Sequence, residues 1–367
     1  MARVAIVAGE ASGDIHAGNL LGALRSLRPD VEAWAVGGEA LRAAGAEIVF
    51  PSEAIAAMGL VEAAGRLPAV ARARRLVRGR LAAERPDLFV PVDFGGLNLR
   101  LARDARALGV PVVYYIPPKV WAWGARRVRT LRAVVDEALV ILPFEEAYLR
   151  ARGVAATYVG SPVLDHLSPR SFEAEPGTVG LLPGSRAGEV SRILPLLVAA
   201  ARRLAWLVPG LRFLVPRAPG LPAAVLDRFL SATDLPLEVL DGRAQEVMER
   251  SRLCLVASGT ATLECATVGT PMVVVYRVSP LTYALGRLLV RVPFIALPNL
   301  IAGRRVVPEL VQTGPEALAA AAEPLLADGP GRDEVLRGLA EVRGLLGAPG
   351  ASGRAAARLA ARLPKPR

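Results

Sequence analysis

Three carboxylates sit where this chain could do proton chemistry. The stretch at 8–14 reads Ala-Gly-Glu-Ala-Ser-Gly-Asp. Gly9 and Gly13 permit tight backbone geometry, and Glu10 and Asp14 bring acid groups to the turn. Anions repel phosphate, so the turn suits proton transfer or sugar hydroxyls, with Ser12 as a further contact. The plainer reading makes Ser12 or Asp14 the N-cap of an ordinary helix. The third carboxylate, Asp93, opens Asp-Phe-Gly-Gly-Leu-Asn at 93–98, where it either works as a base or caps a helix. Asn98 suits a sugar or the backbone. Residues 114–123 hold Tyr114, Tyr115, Trp121 and Trp123 around Pro117, Pro118 and Lys119, in a chain with only 5% aromatics. Aromatic rings beside prolines suit stacking on a sugar or acyl chain, or plain domain packing.

The second half offers anion chemistry instead. Leu-Pro-Gly-Ser-Arg at 182–186, with Glu189 following, presents Gly184 and Ser185 as N–H donors and Arg186 as charge. That arrangement suits a diphosphate. It lacks the Gly-Lys-Ser/Thr ending of a P-loop. Ser258, Gly259 and Thr260 open a second such turn, and Glu264 falls one helical turn further, where a carboxylate can accept both ribose hydroxyls. Two turns of this kind point to a nucleotide; the bland alternative is a capped, buried helix start. His16, His166, Cys254 and Cys265 have no metal-ligand spacing, so no metal and no cofactor is expected. The cysteines read as buried core thiols. There is no Gly-x-Ser-x-Gly elbow and no Gly-x-Gly-x-x-Gly after a strand.

These turns need strands to carry them. Short apolar runs at 4–8, 32–36, 88–92, 111–116 and 137–142 alternate with helical patterns, and the pattern restarts at 177–182, 211–215, 237–240, 253–256 and 271–275. Continuous apolar strands separated by helices imply a parallel sheet covered on both faces. The expectation is two α/β, doubly wound, Rossmann-like domains facing a cleft. Their bounds are 1–166 and 167–349, with a linker at 166–176. A last helix near 355–362 returns, so that 350–367 joins the first domain. Ligands belong at the carboxyl ends of the strands.

Composition agrees. The chain has 367 residues, 53% of them apolar, and a net charge of +11. Disorder is excluded, no uncharged run approaches the roughly 20 residues of a spanning helix, and a cytosolic protein is expected. The charge calls for an anionic partner. Six arginines and no acid fall in 63–83 (Arg66 to Arg80), and five more in 265–308 (Arg277, Arg287, Arg291, Arg304 and Arg305). Both stretches are apolar as well, which suits an anionic membrane surface or a helix with a solvated basic face. Nucleic acid is not expected, because no recognition module accompanies the charge.

Taken in order, the segments resemble the lipid-A-disaccharide synthase family. The resemblance runs through Gly-Glu-Ala-Ser-Gly-Asp at 9–14, Val-Gly-Gly at 36–38, Ala-Met-Gly-Leu-Val-Glu at 57–62, Val-Trp-Ala-Trp at 120–123 and Leu-Pro-Phe-Glu at 142–145. It continues with Val-Gly-Ser-Pro at 159–162, the turns at 182–186 and 258–264, Leu-Pro-Asn-Leu-Ile-Ala-Gly at 297–303 and Pro-Glu-Leu at 308–310. It implies a GT-B glycosyltransferase. The reaction would be metal-free, inverting transfer of 2,3-diacylglucosamine from UDP to the 6-hydroxyl of 2,3-diacylglucosamine 1-phosphate. It implies a peripheral enzyme on the cytoplasmic face of the inner membrane; a homodimer stays open. Mapped onto this chain, the donor side would hold Gly184, Ser185, Arg186, Ser258, Gly259, Thr260, Glu264 and Asn299. The acceptor side would hold Ser12, Asn98, Lys119, Trp121, Trp123 and Met58. Asp93 is the first choice for base, ahead of Glu10 and Asp14. Three departures stand out: Gly96 replaces a second carboxylate, Ser161 replaces a histidine, and Pro117-Pro118-Lys119 precedes the Trp pair. They leave two alternatives open, another lipid acceptor or a non-catalytic binding paralogue.

Overall fold

The computed structural model describes residues 1–55, 67–122, 125–279, 283 and 292–365. Met58, Trp123, Arg66, Arg287 and Arg291 lie outside the described residues. The chain forms two compact units, Met1–Asp165 with Ala348–Arg367, and His166–Gly347.

The first unit is built on a seven-stranded sheet in the order β3-β2-β1-β4-β5-β6-β7. Its strands are β1 Ala2–Ala8, β2 Val31–Gly37, β3 Glu47–Pro51, β4 Leu88–Val92, β5 Val113–Tyr115, β6 Glu137–Val140 and β7 Ala156–Tyr158. All pairs are parallel. The strand sequences explain this. In β1, Ala5 and Val7 join one hydrophobic layer while Val4, Ile6 and Ala8 join the other. A strand apolar on both faces needs helices on both faces, which is what a parallel sheet provides.

The second unit repeats the plan with six strands in the order β10-β9-β8-β11-β12-β13. These are β8 Glu175–Leu182, β9 Arg212–Arg217, β10 Leu237–Asp241, β11 Ser251–Ala257, β12 Met272–Tyr276 and β13 Glu309–Val311. Again all pairs are parallel. Both sheets therefore have the doubly wound order, with one reversal of direction each: at β1/β4 and at β8/β11. Three strands escaped the sequence reading: β3, β7 and β13. All are edge strands of three to five residues, with no fully buried run to announce them.

The last helix, Ala351–Ala360, packs against the first, Ala11–Leu27. Ala355, Ala356 and Leu359 complete one of the first unit's two apolar layers. Polar ties fix the return. The Asp165 carboxylate accepts the N–H groups of Gly350 (2.6 Å), Ala351 (3.1 Å) and Ser352 (3.1 Å), capping the helix. Arg354 donates to the carbonyls of Val159, Ala348 and Pro349, and a Cβ at Gly160 would stand 2.1 Å from its guanidinium. Gly160, with φ +93°, therefore has to be glycine.

Candidate functional site

Both reversal points carry the residues singled out above. In the first sheet Ala8 pairs with Val92, so Gly9–Glu10 and Asp93–Phe94 leave adjacent strands side by side. In the second, Leu182 pairs with Val256, which sets Gly184–Ser185 beside Ser258–Thr260.

Asp93 is the most constrained of them. It has φ +47° and Phe94 has φ +48°, two successive non-glycine residues in the left-handed region, where each costs roughly 1–2 kcal/mol. Neighbours hold the distortion. The Asp93 carbonyl accepts from Asn98 Nδ2 (2.8 Å) and from the Tyr114 hydroxyl (2.7 Å), and the Asp93 N–H donates to the Tyr115 carbonyl (3.1 Å). Phe94 lies over Gly9, where a Cβ would come within 2.2 Å of its ring. The Asp93 carboxylate is half-exposed and makes no hydrogen bond or ion pair among the described residues. Strain of this kind persists where the fold over-determines it and the function uses it. Glu10 is half-buried at the N-cap of the helix Ala11–Leu27, and Ser12 is exposed in its first turn.

Two sequence assignments in this half are corrected. Asp14 is buried, and its carboxylate accepts from the N–H groups of Gly38 (2.6 Å), Ala40 (2.9 Å) and Leu41 (3.4 Å). It caps the helix Glu39–Ala43, and the Gly37–Gly38 turn wraps it so closely that a Cβ at either glycine would stand 2.9 Å from a carboxylate oxygen. Its oxygens are already engaged by backbone N–H groups, so Asp14 stands here as a cap and not as an open acid group. Asn98 is fully buried, with Nδ2 donating to the carbonyls of Val7, Val92 and Asp93. It ties the ends of β1 and β4 together and is closed to a sugar.

The loop after β5 completes this edge. Ile116 has φ +58°, and Pro118 seats on Gly95, where a Cβ would fall 2.5 Å from the proline ring. Lys119 is exposed and Trp121 half-buried. The Trp121 indole donates to Glu145 Oε1 (2.8 Å) and meets the Phe144 ring edge-on at 5.1 Å. Glu145 itself is buried, and its Oε2 accepts the Leu142 N–H (3.1 Å). Burial pushes its carboxyl above the usual range, opposed by the Trp121 and Leu142 hydrogen bonds and the charge of Lys119. Sequence reasoning quoted Glu145 but gave it no role. Its signal was Pro143 at a helix start with a glutamate two residues on, a capping pattern.

In the second unit Gly184 has φ +104° and turns the chain into the helix Ala187–Leu207. Ser185 and Arg186 are exposed there. Glu189 reaches back over the turn, accepting the Ser185 N–H at 3.3 Å, and a Cβ at Gly184 would meet its carboxylate at 2.2 Å. A diphosphate on that N–H has to displace it. Gly259 and Thr260 are exposed at the start of the helix Ala261–Val268; the Thr262, Leu263 and Glu264 N–H groups donate to the Gly259 and Thr260 carbonyls, while the Gly259 and Thr260 N–H groups have no acceptor among the described residues. The Ser258 N–H is committed to the Val275 carbonyl (2.8 Å), and its hydroxyl lies 3.3 Å from the Ile295 carbonyl. Glu264 is half-buried and makes no hydrogen bond or ion pair among the described residues, and burial pushes its carboxyl up. A carboxylate so placed has unused acceptor capacity for a pair of hydroxyls.

Asn299 is the third correction. It is fully buried; its Oδ1 accepts the N–H groups of Val306 (2.8 Å) and Val307 (2.9 Å), and its Nδ2 donates to the Val307 carbonyl and Glu309. Glu309 in turn accepts the N–H groups of Ile295 and Ala296. The motifs at 297–303 and 308–310 are thus one internal lock behind the Ser258 turn, and Asn299 is no ligand contact. Among the described residues no group of three His, Cys, Asp or Glu is arranged to hold a metal ion.

Comparison with known proteins assigns the ancestry of these motifs. A glycosyltransferase of kitacinnamycin covers 99% of each chain with a TM-score of 0.64 at 16% identity. A Staphylococcus aureus MnaA–UDP structure covers 96% of this chain and 94% of its own, with a TM-score of 0.63 at 14% identity. At such identities these likenesses speak for the GT-B fold alone. Sequence says more. The Myxococcus xanthus protein named lipid-A-disaccharide synthase is 46% identical over 367 residues, 96% of each chain. The family model for lipid-A-disaccharide synthetase matches residues 4–330, which include both reversal points and every turn described here, and the chain belongs to that family.

Proposed function

We propose that this chain transfers a 2,3-diacylglucosamine unit from its UDP conjugate to the 6-hydroxyl of 2,3-diacylglucosamine 1-phosphate. The product is a β-1,6-linked disaccharide 1-phosphate, the precursor of lipid A. The observation that carries the reading is the strained Asp93 at one reversal point, in a chain of this family whose other reversal point has two turns suited to an anion and a carboxylate, Glu264, with no hydrogen bond or ion pair among the described residues. The first unit takes the acceptor. Asp93 receives the proton of the 6-hydroxyl as that oxygen attacks the anomeric carbon, and the bond from that carbon to the UDP oxygen breaks on the opposite face, inverting the centre. The second unit takes the donor. Glu264 accepts the ribose hydroxyls; Arg186 and the N–H groups at Ser185, Gly259 and Thr260 stabilise the charge that the departing UDP gains. These donors serve in place of a metal, so no cofactor is required. The S. aureus neighbour, solved with UDP, supports a nucleotide on this fold. Incubating the protein with both substrates and chelator, then seeking the disaccharide by mass spectrometry, tests this. Intact UDP binding without product would overturn it.

The reading extends to the membrane. Residues 67–134 hold fourteen basic and four acidic side chains, so ten of the eleven net charges fall there. The helices Leu67–Glu84, Gly95–Ala107 and Ala125–Val134 pack side by side over one face of the first sheet. Asp104 is tied to Arg74, Glu84 to Arg80 and Asp136 to Arg106. Arg72, Arg75, Arg78, Arg100, Arg129 and Arg132 are exposed, with Leu67 and Leu76 among them. In the other stretch, Arg304 is paired with Glu341. No helix among the described residues is long and apolar enough to cross a membrane. This three-helix face therefore docks on anionic lipid at the cytoplasmic surface of the inner membrane, in place of two separate patches. Co-sedimentation should rise with the anionic fraction of the vesicles and fall with salt. Binding indifferent to both would sink the proposal.

A further inference from the structure

Two sequence motifs, Val-Trp-Ala-Trp at 120–123 and Leu-Pro-Phe-Glu at 142–145, meet at one buried carboxylate. Glu145 spends one oxygen on the Trp121 indole and the other on the Leu142 N–H. The first bond fixes a loop and the second fixes the helix start at Pro143–Arg150. That loop is 116–122, turned tightly by Val120 N–H to Pro118 carbonyl (2.6 Å) and Ala122 N–H to Lys119 carbonyl (3.1 Å). Its other end is seated through Pro118 on Gly95, two residues from Asp93. A continuous chain of contacts thus runs from Glu145 through Trp121 and Pro118 to the strained turn.

We propose that Glu145 is a positioning residue for the acceptor: by holding the Trp121 indole it fixes the loop 116–122, which seats through Pro118 on Gly95 next to the Asp93 turn, and thereby sets how the acceptor sugar approaches the base. The chemistry explains why a glutamate stands here. Both donors are N–H groups, and only a carboxylate offers a separate acceptor oxygen to each. A glutamine would turn its amide N–H₂ toward one of them. Burying a carboxylate is costly unless its oxygens are satisfied, so the site favours the geometry in which both bonds are made. The proposal rests on the reading that the first unit binds the acceptor.

The test uses the full-length chain with Glu145→Gln, Trp121→Phe and the double variant; Phe keeps a ring and loses the N–H. Each single change should lower kcat/KM for 2,3-diacylglucosamine 1-phosphate about ten-fold or more, the size of one lost charge-assisted hydrogen bond. KM for the UDP donor should stay within about two-fold, and the double variant should be no worse than the worse single, because both break the same bond. Additive losses, equal losses on the donor side, or lowered Tm with unchanged kinetics would overturn the proposal. A readout independent of turnover separates it from the functional reading. With ¹⁵N-labelled tryptophan, the indole signal that Trp121→Phe removes should shift in Glu145→Gln and respond to acceptor alone. An acceptor-responsive signal without turnover would keep Glu145 as a positioning residue and sink the transferase reading. A signal deaf to acceptor would sink the positioning role itself.

Discussion

Asp93 shows how a fold can mark a residue that composition does not. Two consecutive left-handed residues cost roughly 2–4 kcal/mol together, a sizeable part of an ordinary domain's stability. The fold meets that cost with bonds from Asn98 and Tyr114 to a single carbonyl, leaving the carboxylate without a hydrogen bond or ion pair among the described residues. Asp93→Asn should therefore fold normally, since Asn tolerates the left-handed region well. It should lose turnover about 100-fold or more while binding UDP as before, as measured by initial rates and calorimetry. Full activity would refute Asp93 as base. The position was legible in the sequence as a carboxylate after a strand, but its strain was not, because φ depends on Tyr114 and Asn98 arriving from elsewhere in the fold. The same reason left Asn98 open between sugar and backbone and Asp14 between base and cap, and gave Asn299 to the ligand, where all three spend their polar groups on the backbone. A polar residue inside a motif reads as a ligand contact until the backbone groups it serves are visible. Gly96 is exposed with open space around it, so a side chain there would fit without reshaping the turn.

The helix Glu39–Ala43 depends on a carboxylate borrowed from another helix. It has only five residues and no side-chain cap of its own, so Asp14 supplies the acceptors that its first N–H groups need. Asp14→Ala should destabilise the chain by about 1–3 kcal/mol in urea unfolding, since it leaves buried donors unmatched. Asp14→Asn keeps one acceptor oxygen and should cost less, with turnover within a few-fold of the original. A loss as deep as that of Asp93→Asn would make Asp14 the base after all. Most elements were readable from their pattern. The central strands β1, β4, β8 and β11 end in continuous apolar runs, and they carry all four decisive turns. The edge strands β3, β7 and β13 were not readable, because a short strand buried on few sides needs no distinctive sequence.

The return of the last helix is written in charge. Glu137 opens β6, is buried, and meets Thr157, Arg358 (2.5 Å) and Arg362 (2.9 Å). Burial alone would raise its carboxyl, but the bonds from Thr157, Arg358 and Arg362 outweigh it and hold the group below its ordinary value of 4.5. A carboxyl depressed on folding adds stability that is present in full above its unfolded value and is lost as pH falls through the folded one. The stability gap between the native chain and Glu137→Gln should thus be largest near neutrality and shrink as pH falls below the ordinary value of 4.5 and through the lowered folded one. Both arginines are partly solvated, so the gap at neutral pH should be roughly 1–2 kcal/mol, less than for a fully buried pair. Urea unfolding across pH checks it; a gap independent of pH would exclude the ion pair as its source.

The same return imposes an order on biosynthesis. The first unit's sheet is finished when residue 158 leaves the ribosome, yet one of its two apolar layers stays open on the side that Ala355, Ala356 and Leu359 later cover. The nascent first half must wait, partly uncovered, through the synthesis of nearly two hundred residues. The unit that begins first is the one completed last.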